Sequence, residues 1–205
     1  MVEQARLSEV DASAPGFVQS ITGPQFAQWA YDFARSKLAQ QDPKRWAHVE
    51  AGVRLAHEIA GCVGGDANLL AGVVALHDIG KAPDLVRTGF WPLDGALFLD
   101  RLGAHRVAGL VANFGGSGIE ARMRGYDAEY EQFPDESSAV RDALWHCCLM
   151  RGPGGEPLTL DDRLVEAAKR YAHDPIISRW CVEAAPDLRK AIGRTESRLL
   201  KLNAG

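Results

Sequence analysis

The chain has 205 residues and a formal net charge of -4 at neutral pH; hydrophobic residues make up 46% of it and charged residues 24%. This length suits one globular domain, and the composition excludes an intrinsically disordered chain. The slight acidic excess argues against duplex nucleic acid as a partner, but it allows a small phosphorylated ligand.

Cysteine use and the length of apolar runs indicate a compartment. The four cysteines, Cys62, Cys147, Cys148 and Cys181, lack zinc-finger spacing, which predicts reduced thiols. No apolar run approaches the roughly 18 to 20 residues that span a bilayer, and the amino terminus has no apolar signal core. We therefore expect a cytoplasmic protein without a membrane partner.

The amino-terminal residues 1–20 have no hydrophobic period and are predicted to form a flexible arm, followed by a single helical domain over residues 21–205. A helix start signal at Thr22 precedes apolar residues at helical spacing. Asp42 and the proline after it open a second helix, which ends at Gly61.

The third predicted helix runs from about Asn68 through Lys81, with Pro83 to stop it. Further helical spacing occurs over residues 93–97, 107–111, 120–124, 140–148 and 160–171, and over two closing helices, 176–181 and 188–200, split at Pro186. No segment shows clean period-two alternation. The fold class is therefore predicted to be all-α, a helical bundle.

One stretch, LLAGVVALHDIGK over residues 69–81, places polar side chains at the end of an apolar helix. Burying His77 and Asp78 without partners would cost several kcal/mol, on the order of the penalty for an unpaired polar or charged group. A divalent metal would satisfy both. His48, which lies beside an apolar face in the preceding helix, is the best candidate for a further ligand, and such a set leaves positions open for water and substrate.

His48 and the string His77-Asp78-Ile79-Gly80-Lys81 resemble the HD-domain superfamily of metal-dependent phosphohydrolases, over roughly residues 46–150. The resemblance implies an HD-domain-like all-α fold with a divalent metal held by a first histidine, the His-Asp pair and a later aspartate. Most members hydrolyse phosphomonoesters, phosphodiesters or nucleotides, and a minority hold two irons and perform oxygenation.

The later part of the chain looks like a bacterial subgroup but departs from its pattern. The subgroup would have its metal-binding aspartate where this chain has Cys148, and Asp142 is the competing fourth ligand. Trp91 and Phe114 stand where similar proteins place histidines that recruit a second metal or touch phosphate. The metal would be Zn, Mn, Fe, Ni or Mg, and a thiolate ligand would favour zinc.

Three functions follow from these residues. The leading hypothesis is a single-metal phosphohydrolase acting on a small phosphate ester or nucleotide, in which Asp78 orients or deprotonates water and Lys81 neutralises phosphate. Glu120 and Arg124 match a pattern of the subgroup and are candidates for contacting substrate, beside the simpler reading of a helix ion pair. The alternatives are a degenerate member that binds a ligand or partner without turnover, and a dinuclear iron oxygenase. The sequence is also compatible with a homodimer.

Overall fold

The computed structural model describes residues 23–204; residues 1–22 and 205, and with them the predicted arm, lie outside the described residues. This part of the chain contains ten α-helices: α1 Gly23–Leu38, α2 Pro43–Glu58, α3 Ala67–Leu76, α4 Trp91–Arg101, α5 His105–Ala112, α6 Ser117–Arg124, α7 Asp127–Tyr130, α8 Ala139–Leu149, α9 Leu160–Arg170 and α10 Pro175–Asn203. Short 3-10 helices cover Ala60–Asp66, Ile79–Lys81 and Phe114–Gly116. The described residues form no β-strand, only an isolated bridge between Arg151 and Pro157, so the all-α class is confirmed.

Helix α3 lies at the centre of the molecule. Every residue from Leu70 to Leu76 is buried, and the helix packs against α1, α2, α5 and α8. The run of Ala, Leu and Val in this segment is explained by that position, since a helix surrounded by other helices needs apolar side chains all round.

Side-chain caps start several helices where the sequence indicates them. Asp42 accepts a hydrogen bond from the backbone N–H of Arg45, with proline at the next position of α2. Thr159 accepts one from the N–H of Asp162 at the start of α9, and its own hydroxyl donates to the Asp162 carboxylate. Each cap satisfies a backbone donor that has no partner within its helix.

The third predicted helix is too long. Helix α3 ends at Leu76, and the chain then turns through His77 and Asp78 into the 3-10 helix Ile79–Lys81. A tighter turn is required because Gly80 lies against the start of α4, where a Cβ would overlap the backbone of Trp91 and Gly95. The two polar residues therefore leave from the end of α3 rather than from its side.

The predicted break at Pro186 is also wrong, because α10 is one helix of 29 residues with Pro186 inside it. Proline removes one helical hydrogen bond and crowds the carbonyl four residues earlier, here that of Val182. Pro186 is exposed and Val182 is 74% exposed, so this turn of the helix faces solvent. Ala184, Ala185 and Leu188 are buried on the opposite side and hold the helix against the bundle.

By length and composition alone, Ala60–Lys81 is apolar enough to cross a membrane, with a mean hydropathy of 1.2 over an 18-residue window. The sequence expectation that no run approaches this length therefore needs correction. The structure divides the segment into a 3-10 helix, α3 and a second 3-10 helix, with a positive φ of 59° at Gly64. Half of the window is buried inside the protein, which is typical of a core segment.

Candidate metal centre

His48 is positioned by α2 and by the loop that follows α8. It is 1% exposed, and its Nδ1 donates to the carbonyl oxygen of Gly152 at 2.9 Å. Gly155 lets this loop pack against α2, because its φ is +88° and a Cβ at this position would lie only 2.9 Å from the Ala47 carbonyl oxygen. A carbonyl oxygen only accepts, so the Nδ1 of His48 carries the proton and Nε2 is free to bind a metal.

His77 is held in the same way from its own helix. Its Nδ1 donates to the carbonyl oxygen of Val74 at 2.7 Å, and its Nε2 lies 3.4 Å from Oδ2 of Asp78. Metal-binding histidines almost always donate their second ring N–H to a carbonyl or carboxylate, which fixes the tautomer. Both imidazoles of this site meet that requirement.

His48, His77 and Asp78 come together as a buried group that could hold a metal ion, with one ligand atom of each within 4.8 Å of the others. The Asp78 carboxylate is 1% exposed and is shared between two cations: Arg45 Nη1 donates to Oδ2 at 2.9 Å and Lys81 Nζ to Oδ1 at 2.6 Å. The predicted histidine and His-Asp ligands are therefore adjacent in space.

The protonation states of His48, His77 and Asp78 suit the binding of a cation. Burial and the neighbouring His77 lower the pKa of His48 to about 3, and burial likewise lowers the pKa of His77. Burial works against ionisation of Asp78, but Lys81, His77 and Arg45 outweigh it and hold its pKa well below the ordinary value. Two neutral imidazoles and one carboxylate are the states in which these side chains bind metals, so the residues present fit the group.

The two candidates for a fourth ligand lie on different sides of α8. Cys148 is fully buried near Gly52 of α2, and burial, with Cys147 and Asp78 nearby, raises its pKa well above the ordinary value. Asp142 is also fully buried, but its carboxylate accepts hydrogen bonds from Arg194, Arg198 and Arg141. Asp142 is thus engaged with α10 and not with the histidines.

Aromatic rings cover the cluster. The Phe114 ring centroid lies 4.8 Å from that of His77 and 5.7 Å from that of Trp91. Lys81 Nζ lies 4.0 Å from the Trp91 ring centroid, a cation–π distance. Trp91 and Phe114 both line the pocket next to the cluster, and neither ring supplies a metal-binding atom.

A pocket of about 430 Å³ lies beside the cluster, and the predicted substrate residues Lys81, Glu120 and Arg124 all line it. The three cluster residues do not line it, but Lys81 and Phe114, which contact Asp78 and His77, do. Arg124 pairs with Glu120 at 2.7 Å and with Asp174, the N-cap of α10, at 2.6 Å. Glu120 and Arg124 are thus an intrahelical pair and part of the pocket wall at once.

Sequence reasoning missed the arginines of this pocket. Arg45 lies three residues before His48 on the same helix, which is a spacing that the sequence could have shown. Arg163 and Arg170 line the pocket from α9, far along the chain, and no motif identifies them.

Comparison of the chain with protein-family models, with curated proteins and with solved structures returns no match to any of them.

Proposed function

We propose that this chain is an HD-type, metal-dependent phosphohydrolase acting on a small phosphate ester or nucleotide. One observation carries the proposal. Two buried histidines donate their Nδ1 protons to backbone carbonyls, so that both keep an unprotonated Nε2 beside the Asp78 carboxylate. A buried nitrogen and oxygen donor set next to a pocket is an arrangement that metal-assisted hydrolysis can use.

Each residue has a separate task in this proposal. His48, His77 and Asp78 would hold the ion, which when bound acidifies water and neutralises charge on phosphoryl oxygens. Asp78 would also orient the attacking water through its second oxygen. Lys81 reaches from Asp78 into the pocket, where its ammonium would balance the charge of the phosphate.

The donor set also narrows the choice of ion. Imidazole nitrogens suit zinc, iron and nickel, whereas magnesium prefers an all-oxygen shell. Manganese accepts mixed sets of nitrogen and oxygen. We therefore propose Zn, Mn, Fe or Ni ahead of Mg.

Replacing Asp78 by alanine tests this function. We expect Asp78→Ala to lose the bound metal, measured by elemental analysis, together with metal-dependent hydrolysis across a panel of phosphomonoesters and nucleotides. Asp161→Ala is the control, because Asp161 is 74% exposed and pairs only with Arg189 among the described residues. Turnover in Asp78→Ala equal to that of the parent chain would refute the assignment.

A second candidate is a degenerate member of the fold that binds a ligand without turnover. The observation that favours it is the occupation of both Asp78 oxygens by Arg45 and Lys81, which neutralise the carboxylate without a metal. Ligand binding that resists a chelator, with no hydrolysis of any ester, is the outcome that this candidate predicts.

A dinuclear iron oxygenase is the weakest of the three candidates. A second ion needs further nitrogen or oxygen ligands, whereas the ring next to His77 is that of Phe114, which packs in turn against Trp91. Two equivalents of iron in the purified protein would reverse this ranking.

The remaining proposals concern partners and location. A small phosphorylated molecule is the proposed ligand, with neither duplex nucleic acid nor a membrane as partner, and homodimer formation stays a prediction. All four cysteines are free, which supports a reducing compartment such as the cytoplasm.

A further inference from the structure

Four cations gather where the pocket meets the metal cluster, and only one of them, Lys81, is part of the HD motif. We infer that Arg45, Lys81, Arg163 and Arg170 form a binding site for a doubly charged phosphate monoester. This inference rests on the proposed function for its biological meaning, but it concerns binding alone and needs neither metal nor turnover.

Helix α9 presents one side of the site. Arg163, Glu166 and Arg170 are spaced at three and four residues, lie on one face of the helix, and all line the pocket. Arg163 donates to Glu166 at 2.8 Å, and Arg170 pairs with the same carboxylate. One carboxylate is thus shared between two guanidinium groups, so each of them has donors left for a ligand.

Helix α2 supplies the opposite side through Arg45. Its side chain is only 13% exposed, and one of its terminal nitrogens donates to Asp78. Its Nε is buried and has no hydrogen-bond partner within the described part of the chain. Buried donors are nearly always paired, so the Arg45 guanidinium, which lines the pocket, has a donor that no other group of the described chain uses.

The local charges do not balance. Among the described residues at this end of the pocket, Arg45, Lys81, Arg163 and Arg170 carry four positive charges, while Asp78 and Glu166 carry two negative ones. The difference, four minus two, is an excess of two positive charges in a protein whose net charge is -4. A bound cation at His48, His77 and Asp78 would increase that excess.

The rest of the pocket offsets part of this excess. Arg124 is paired with Glu120 and Asp174, a group of one positive and two negative charges, so five cations and four carboxylates together leave one positive charge. Burial lowers the pKa of Arg163, and the positive charges of Arg170 and Arg45 lower it further, while Glu166 opposes the shift. The three arginines are therefore close enough to repel one another. Mutual repulsion of this kind is relieved by an anion.

Four cations near the metal cluster, three of them arginines, favour a doubly charged anion over a singly charged one. A phosphate monoester carries about -1.5 to -2 charges at pH 7, as a phosphorylated side chain does, whereas a diester carries only one. Planar guanidinium groups also bind phosphate oxygens in pairs. The site therefore matches a terminal phosphate better than an internal diester.

Calorimetric titration of the full chain, freed of metal by a chelator, with methyl phosphate and with dimethyl phosphate tests this inference. We expect one methyl phosphate per chain and binding of dimethyl phosphate that is weaker by about tenfold or more, since one charge-assisted contact is worth roughly that factor. Arg163→Gln should weaken methyl phosphate by about tenfold for the same reason.

A matched control comes from α10. Arg189→Gln removes the same group from the basic surface formed by Arg189, Lys190, Arg194, Arg198 and Lys201, where Arg189 is 56% exposed. That variant should bind methyl phosphate as the parent does. Arg170→Gln, at a more exposed position than Arg163, guards against a folding defect and should show a similar loss.

Equal affinity for the two esters, or a loss in Arg189→Gln and none in the two α9 variants, would overturn the inference. Its failure is separable from that of the proposed function. Arg163-dependent binding without hydrolysis of any ester would leave the inference standing and reject the phosphohydrolase. If a monoester is hydrolysed and neither Arg163→Gln nor Arg170→Gln changes the rate, the phosphohydrolase would stand and the inference would be rejected.

Discussion

At the scale of single residues, Asp142 is the most connected carboxylate of the described chain outside the metal cluster. It is completely buried, and Arg141, Arg194 and Arg198 all donate to it. These bonds tie α8 to α10, and two of the arginines reach the surface, with exposures of 46% and 32%. Asp142 is therefore a structural residue that joins two helices.

We expect Asp142→Ala to lower the free energy of unfolding by about 3 kcal/mol, the lower end for breaking a buried ion pair, because the freed arginines can turn toward water. Urea denaturation measures this loss. At temperatures where Asp142→Ala is folded, its metal content should equal that of the parent protein. Loss of metal from a variant that is still folded would show that Asp142 is a ligand after all.

The sequence predicted the residues of the candidate metal centre better than the residues around them. His48, His77 and Asp78 could be found because an apolar helix that ends in polar groups needs an explanation. The spacing of Arg45 from His48 was visible in the sequence, but its contact with Asp78 and the position of Arg163 depend on packing that a single sequence does not show. The choice between Cys148 and Asp142 needed the orientation of α8 relative to α10.

At the scale of elements, the 3-10 helix Ile79–Lys81 determines where Lys81 points. Gly80 within it contacts the first turn of α4 so closely that a Cβ would overlap backbone atoms of Trp91 and Gly95. Backbone cannot move aside as a flexible side chain can. Gly80 is thus required by packing, apart from any chemistry of the residues beside it.

Gly80→Ala should destabilise the protein by about 3 kcal/mol or more, above the usual cost of overpacking because the neighbours are main-chain atoms. Thermal denaturation followed by circular dichroism measures the effect. Gly65→Ala is the matched control, since a Cβ there meets nothing within 4 Å, and it should shift stability only slightly. Equal stability of the two variants would contradict the tight packing at Gly80.

Helix α10 gives a second element-scale prediction. Pro186→Ala restores the N–H that proline lacks, so we expect the free energy of unfolding to rise by about 1 kcal/mol, less than the full cost of proline in a helix because the unfolded chain gains freedom. Chemical denaturation measures the change. A clear loss of stability would instead favour the sequence prediction of two helices that are separated at Pro186.

Boundaries were the least predictable feature of the elements. The caps at Asp42 and Thr159 mark their helix starts correctly because a side chain next to the backbone decides them. The end of α3 and the continuity of α10 depend on what lies across the interface. Proline at position 186 is tolerated because buried alanines on the other face hold the helix in place.

At the scale of the whole molecule, binding of an ion to the folded state alone must stabilise it. At a free metal concentration of one hundred times the dissociation constant, the gain is about 2.7 kcal/mol. For a chain of this size that corresponds to a rise of roughly 5 to 10 °C in Tm. We expect zinc or manganese to produce the shift in the chelator-treated protein.

Asp78→Ala should abolish that rise, while Asp161→Ala should keep it. A Tm that does not respond to any of Zn, Mn, Fe or Ni would favour the degenerate, ligand-binding candidate. The all-α class itself was predictable, because helical spacing recurs along the whole chain and needs no knowledge of which helices touch.

The hydrogen bond between His48 and Gly152 joins residues that are 104 positions apart. During synthesis, His48 leaves the ribosome long before its acceptor exists, so the imidazole has neither a fixed tautomer nor a fixed orientation at that time. The candidate metal centre therefore reaches its final geometry late, only after α8 and its loop have emerged.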